Sequence, residues 1–109
     1  MKKALALILL VVLCLSLAAC TASKDDLVGT WRGSWEYEGN LFERTFTLAE
    51  NGTYTSTLYK NGNLNKAESG TYEIDGNTVE LHPTGERNWT PFDYKGGKLI
   101  NNDHEFTKR

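Results

Sequence analysis

A two-residue alternation, interrupted at intervals by turn dipeptides, is the feature that most limits what this chain can fold into. In Leu27-Val28-Gly29-Thr30-Trp31-Arg32-Gly33-Ser34-Trp35-Glu36-Tyr37, Leu, Trp, Trp and Tyr hold odd positions and mostly polar residues hold even ones. Successive side chains of a strand point to opposite faces, so this pattern predicts a half-buried strand. Gly39-Asn40 turns the chain, and Phe42, Phe46 and Leu48 then share one parity against Glu43, Thr45 and Thr47. Asn51-Gly52 suits a type I′ hairpin, whose two central residues need positive φ. Tyr54-Ser56-Leu58 follows on one face, and Asn61-Gly62-Asn63 turns the chain again. Gly70-Tyr72-Ile74, Val79-Leu81, Trp89–Tyr94, Lys98–Ile100 and Glu105–Lys108 are the remaining candidate strands, with turns at Asp75-Gly76-Asn77 and Gly96-Gly97. No helical period is visible after the N-terminal segment.

About eight short strands at roughly 8–12-residue spacing predict a sandwich or a barrel. An open sheet of this length leaves exposed edges, and closure removes them. The 3 Trp, 5 Tyr and 4 Phe all lie between Trp31 and Phe106, and such rings bury enough area to fill a small core. The expected fold is all-β, a small up-and-down antiparallel barrel, with a β-sandwich as the alternative. Glu50-Asn51-Gly52-Thr53-Tyr54 is echoed by Glu68-Ser69-Gly70-Thr71-Tyr72. Successive hairpins produce such echoes from turn and strand chemistry alone.

The N-terminal segment has a different character. Lys2 and Lys3 precede an apolar run from Ala4 to Leu17, and Ala18-Ala19 supply small residues for signal cleavage. The run falls short of the roughly 20 residues of a spanning helix, and no basic stop-transfer cluster follows. Leu17-Ala18-Ala19-Cys20 resembles the bacterial lipobox, in which the cysteine becomes the first mature residue and carries a diacylglycerol thioether. The mature chain has no other cysteine, so without lipidation Cys20 would be an orphan thiol in an oxidising compartment. The expected organisation is a lipoprotein signal peptide over 1–19, a lipidated N-terminus and polar tether over 20–26, and a barrel domain over 27–109. The expected location is extracytoplasmic, membrane-anchored in the cell envelope. Of the 12 Lys/Arg, Lys2 and Lys3 leave with the leader; the rest are scattered among 14 Asp/Glu, which argues against a nucleic-acid surface.

Gly29-Thr30-Trp31 resembles the G-x-W signature of the lipocalin and calycin barrels. The run Gly70-Thr71-Tyr72-Glu73-Ile74-Asp75-Gly76-Asn77-Thr78-Val79-Glu80-Leu81 is similar to a pattern in small bacterial lipocalin-like lipoproteins. The resemblance implies that Gly29 and Trp31 form a structural plug at one barrel end, beneath a basic residue of the last strand, Lys108 or Arg109. The domain is much shorter than a classical lipocalin. Short strands and many inward aromatics favour an interior filled largely by its own side chains.

Residues able to carry chemistry are sparse. The mature domain has no cysteine nucleophile and no G-x-S-x-G elbow, and His82 and His104 lie in no metal-binding spacing. His82 falls on the polar parity before Pro83 and reads as a solvated strand end; His104 reads as part of a turn. No catalytic residue, metal or cofactor is expected. The irregular segment from His82 to Pro91 contains both prolines, and Arg87 and Trp89 within it are candidate binding anchors, although Trp89 is expected to pack inward as the strand resumes. Arg44 shares the parity of Phe42, Phe46 and Leu48, which points a guanidinium into the barrel. Three outcomes are open: a bulge that returns it to solvent, a pair with an internal acid, for which parity selects Glu68, or an anionic ligand group. The functional expectation is a non-enzymatic, lipid-anchored binding module for a small apolar or amphipathic ligand. The alternative is a module for an envelope protein partner, as in small lysozyme-inhibiting lipoproteins, whose S-G-x-x-Y motif Ser69-Gly70-Thr71-Tyr72 resembles with one residue missing.

Overall fold

The computed structural model describes residues 22–109; the leader, Cys14, Cys20 and the lipidation expected there lie outside the described residues. A short helix, α1 (Lys24–Leu27), leads into eight strands: β1 (Gly29–Tyr37), β2 (Asn40–Leu48), β3 (Thr53–Lys60), β4 (Asn63–Asp75), β5 (Thr78–Pro83), β6 (Thr90–Lys95), β7 (Lys98–Asn101) and β8 (His104–Lys108). Each pairs antiparallel with the next, and β8 returns to β1 to close a barrel. The alternation therefore does what it predicts: it puts one face of every strand into a common interior.

Three local readings need correction. Leu27 ends α1 rather than opening β1. The Ser23 hydroxyl accepts from the Asp26 N–H while the Asp26 carboxylate reaches back to the Ser23 N–H, a capping box that stabilises even one turn of helix. Residues 22–26 are not a free tether either. Ala22 is buried and its N–H donates to Asn77 Oδ1 at 3.0 Å. The sixth strand starts at Thr90, not at Trp89.

The barrel has two unlike ends. The base carries α1, the start of β1, the β2–β3, β4–β5 and β6–β7 turns and the end of β8. The mouth carries the β1–β2, β3–β4 and β7–β8 turns and the longer β5–β6 connection. Leu27 and Trp31 are fully buried at the base, and the Trp31 indole N–H donates to the Leu27 carbonyl at 2.8 Å. Halfway up, Phe46, Phe92 and Phe106 meet with ring centroids 5.0–5.4 Å apart. All three are fully buried, and they form an aromatic floor above the plug.

Candidate functional site

Above the phenylalanine floor the interior turns polar. The unbroken β1–β2 register pairs Gly33 with Arg44 and Trp31 with Phe46, so Arg44 points inward one step closer to the mouth than Phe46. The β2–β3 register, set by the Asn51-Gly52 hairpin, puts Ser56 opposite Phe46 and Leu58 opposite Arg44. The β3–β4 register puts Glu68 opposite Ser56. Three adjacent strands thus deliver an arginine, a hydroxyl and a carboxylate to one interior wall.

Their contacts form one network. Arg44 Nε donates to Ser56 Oγ at 3.0 Å, and Arg44 Nη2 meets Glu68 Oε1 at 3.4 Å. The other Glu68 oxygen accepts from the Tyr54 hydroxyl at 2.9 Å. The guanidinium carbon stands 5.9 Å and 5.7 Å from the ring centroids of Phe46 and Phe92, within cation–π range. Of the three sequence outcomes for Arg44, this geometry is the internal pair: Arg44 and Glu68 are 16 % and 18 % exposed, and no bulge intervenes in β2. Burial lowers the Arg44 pKa from its usual value, opposed by the charges of Glu68 and Tyr54. Burial also raises the Tyr54 pKa strongly, and its hydrogen bond to Glu68 adds to the shift.

The ion pair is incomplete. At 3.4 Å it is longer than the roughly 2.7–2.9 Å of a strong charge-assisted bond, and it is single rather than bidentate. Arg44, Ser56 and Glu68 line a cavity of about 260 Å³ that opens at the mouth. Trp35, Leu58 and Pro83 give it apolar walls, and Lys66 and Glu86 stand at its rim, 3.7 Å apart and each half exposed. An exposed pair of this kind contributes only about 0–1 kcal/mol, so it is a weak clasp over the opening. A larger, shallower depression of about 650 Å³ lies on the outside of the β1–β8 seam. None of its charged side chains is buried, and Arg32 and Glu43 there already pair with each other at 2.8 Å. The smaller interior cavity, with its half-satisfied guanidinium, is the candidate site.

The β5–β6 connection differs from its sequence reading. Trp89 does not enter the core; it is 55 % exposed. It stacks on His82 outside the barrel, centroids 3.8 Å apart and planes 18° from parallel. His82, expected in solvent, is covered by that ring. Its Nε2 lies 3.6 Å from Glu80 Oε2 and is buried without a hydrogen-bond partner among the described residues. Arg87 is exposed. Neither Arg87 nor Trp89 lines the cavity; Glu86 and Asn88 do. His104 opens β8 rather than sitting in the turn, and stacks on Trp35 at 4.3 Å. Phe42 covers the other neighbour position of Trp35 at 5.9 Å.

The profile described as "Lipocalin-like domain" matches residues 27–100. The chain belongs to this lipocalin-like family. No curated protein and no solved structure matches it significantly. In this lipocalin-like barrel the plug is built from Gly29, Trp31 and Lys108. A side chain at Gly29 would meet Lys108 Cε at 2.6 Å, so the glycine leaves the lysine room to cross the base. Lys108 Nζ reaches the carbonyls of Asp26 at 3.1 Å and Asp25 at 3.4 Å. A cation beside these late carbonyls of α1 is well placed electrostatically. Arg109 is exposed and contributes only its backbone N–H, to Thr30 O at 2.9 Å.

Sequence reasoning missed Tyr54 and Ser56 as members of the polar network. Their signal is present: they share the inward face of β3, and the Asn51-Gly52 hairpin fixes that face beside Arg44. The Trp35–His104 stack has no such signal, because it forms only when the two ends of the sheet meet. Among the described residues, no group of three or more His, Cys, Asp or Glu could hold a metal ion.

Proposed function

We propose that this lipocalin-like domain is the binding module of a cell-envelope lipoprotein, anchored through a diacylglycerol thioether on Cys20, and that it binds a small amphipathic ligand without transforming it. The observation that carries the reading is the Arg44 guanidinium, buried in the wall of a cavity open at the mouth, with only one long contact to its carboxylate. A ligand carrying a carboxylate or similar anion completes the bidentate geometry that Glu68 leaves unmet. Trp35 and Leu58 supply apolar contact for the rest of the molecule. The phenylalanine floor limits depth, which favours a short or ring-containing ligand over a long acyl chain. The Lys66–Glu86 clasp is weak enough to open on ligand arrival.

The test is a fluorescence titration with 1-anilinonaphthalene-8-sulfonate, followed by displacement with short aromatic and aliphatic carboxylates and with their neutral amides. The reading expects the acids to displace the probe better than the amides, and Arg44→Met to erase that difference while the domain stays folded. Equal displacement by acids and amides contradicts it.

The apolar rim supports a second reading, a protein partner at the mouth: Tyr37, Leu64 and Trp89 are each more than half exposed. Inhibition of a lysozyme by the isolated domain, lost in Leu64→Ser or Trp89→Ala, is its discriminating outcome. The Ser69-Gly70-Thr71-Tyr72 motif lends it no support, since a side chain at Gly70 would collide with the His82 backbone, which explains the glycine structurally.

A further inference from the structure

The anchor and the fold together constrain how the barrel stands on a membrane. That constraint follows from the proposed lipidation of Cys20. One residue, Thr21, separates Cys20 from Ala22. Two residues of chain span at most about 7 Å. Ala22 is itself fixed to the barrel: it is 5 % exposed and hydrogen-bonded to Asn77 of the β4–β5 turn. The capped turn of α1 follows, with Leu27 fully buried. The lipid is therefore attached at the base, with almost no slack.

The opposite end is far away. β1 runs from base to mouth in 9 residues, and at about 3.3 Å per residue with a 35–45° tilt the mouth stands roughly 20 Å above the base. The distribution of apolar surface sharpens the contrast. The exposed large hydrophobics Tyr37, Leu41, Tyr59, Leu64 and Trp89 all flank mouth turns. The base turns are Asn51-Gly52, Gly76-Asn77 and Gly96-Gly97, small and polar. Judged by surface alone, a barrel like this would dip its mouth into the bilayer. A tether reaching about 7 Å cannot span the roughly 20 Å that this orientation requires.

We infer that the base of the barrel is a membrane-apposed surface, resting on lipid headgroups without inserting, and that the mouth faces away from the anchoring membrane. The occupant of the base is the headgroup layer to which Cys20 is joined. The ligand cavity then takes its ligand from the aqueous envelope side, not laterally from the bilayer of its own anchor.

The experiment uses the mature lipidated protein, extracted from membranes and reconstituted into phosphatidylcholine–phosphatidylglycerol vesicles containing headgroup-spin-labelled lipid. Because the Cys20 sulfur is held as a thioether, a thiol-reactive fluorophore reports only an introduced cysteine: Lys95→Cys at the base or Leu64→Cys at the mouth. Near-UV circular dichroism checks that both variants fold. The expected result is several-fold stronger quenching at position 95 than at 64. Inserting about twelve Gly/Ser residues between Thr21 and Ala22, which gives a reach of roughly 20 Å, should shrink that contrast. Equal or stronger quenching at 64 with the native tether overturns the orientation while leaving the anchor intact. Protein that neither floats with vesicles nor carries the diacylglyceryl mass removes the anchor and overturns both.

Discussion

The base and the mouth of this barrel are built from the same hairpins but held by opposite chemistry. At the base, Trp31, Leu48, Val79 and Leu99 are each no more than 1 % exposed, and the polar atoms that reach them find backbone partners: the Trp31 indole at Leu27 and the Tyr72 hydroxyl at Ala49 O, 2.6 Å away. At the mouth, charged and hydroxyl side chains contact one another around open space, and the rim aromatics stand in solvent. Hydrophobic burial is large and undirected, so it suits the end that must hold the fold together. A half-satisfied charge in a partly dry cavity is poor for stability and good for recognition. The division gives stability to one end and, on the proposed reading, binding to the other.

The largest test of that division sets one tryptophan against another. Trp31→Ala removes a fully buried ring and its hydrogen bond, and should cost about 3–5 kcal/mol, a large share of the stability of a domain of this size. Trp89→Ala removes a half-exposed ring and should cost less than about 1 kcal/mol. Urea midpoints decide it, and comparable midpoints would break the contrast.

Next in size is the polar network. Arg44→Met or Glu68→Gln strands one partner near the barrel wall, and each should cost about 1–3 kcal/mol. Replacing both should cost less than the sum, because the two residues share one contact. If the single changes are neutral and additive, the mouth pair is solvated and does not order the wall.

A smaller effect concerns pH. Tyr54 keeps its proton in the folded state to well above the ordinary tyrosine value, through burial and Glu68, and burial with the Glu50 charge raises Tyr72 in the same direction. A raised acid pKa means that above the unfolded value of about 10 the unfolded chain binds fewer protons than the folded one, so stability falls as pH rises from there. Below pH 10 these tyrosines should leave stability flat. Tyr54→Phe should lower the neutral-pH midpoint and flatten part of the alkaline decline, as urea titrations from pH 9 upward would measure.

The smallest effect is on the outer stack. His82→Ala should leave the urea midpoint within about 0.5 kcal/mol, yet speed proteolytic cutting in the β5–β6 connection, because that ring holds Trp89 against the wall. Unchanged cutting would mean that the connection is ordered without the stack.

How far the sequence carries differs between the two ends for a physical reason. Side-chain parity and hairpin register are local, so the inward direction of Trp31, Phe46, Arg44 and Glu68 is legible from alternation and turn dipeptides. Arg44 on β2 and Glu68 on β4 meet across Ser56 of β3, through a β2–β3 register that follows its turn and a β3–β4 register shifted by a bulge at Leu58/Tyr59. The irregular connection offers no such rule. Without a strand to fix parity, Trp89 can turn either way, and it covers His82 rather than joining a core already filled by Phe46, Phe92 and Phe106. The docking of Ala22 is invisible for a similar reason: its partner Asn77 lies 55 positions away, and only closure of the barrel brings the two together. The short helix was written in Ser23-Lys24-Asp25-Asp26, but one capped turn has no period to reveal it.

The most direct measurement is residue-resolved amide hydrogen exchange of the folded domain, with and without a bound aromatic carboxylate. The account predicts the slowest exchange around Trp31, Phe46, Val79 and Leu99 in both states, with ligand protection confined to the mouth-side halves of β2, β3 and β4 around Arg44, Ser56 and Glu68. Slowest exchange at the mouth, or ligand protection spread over the base, would contradict it.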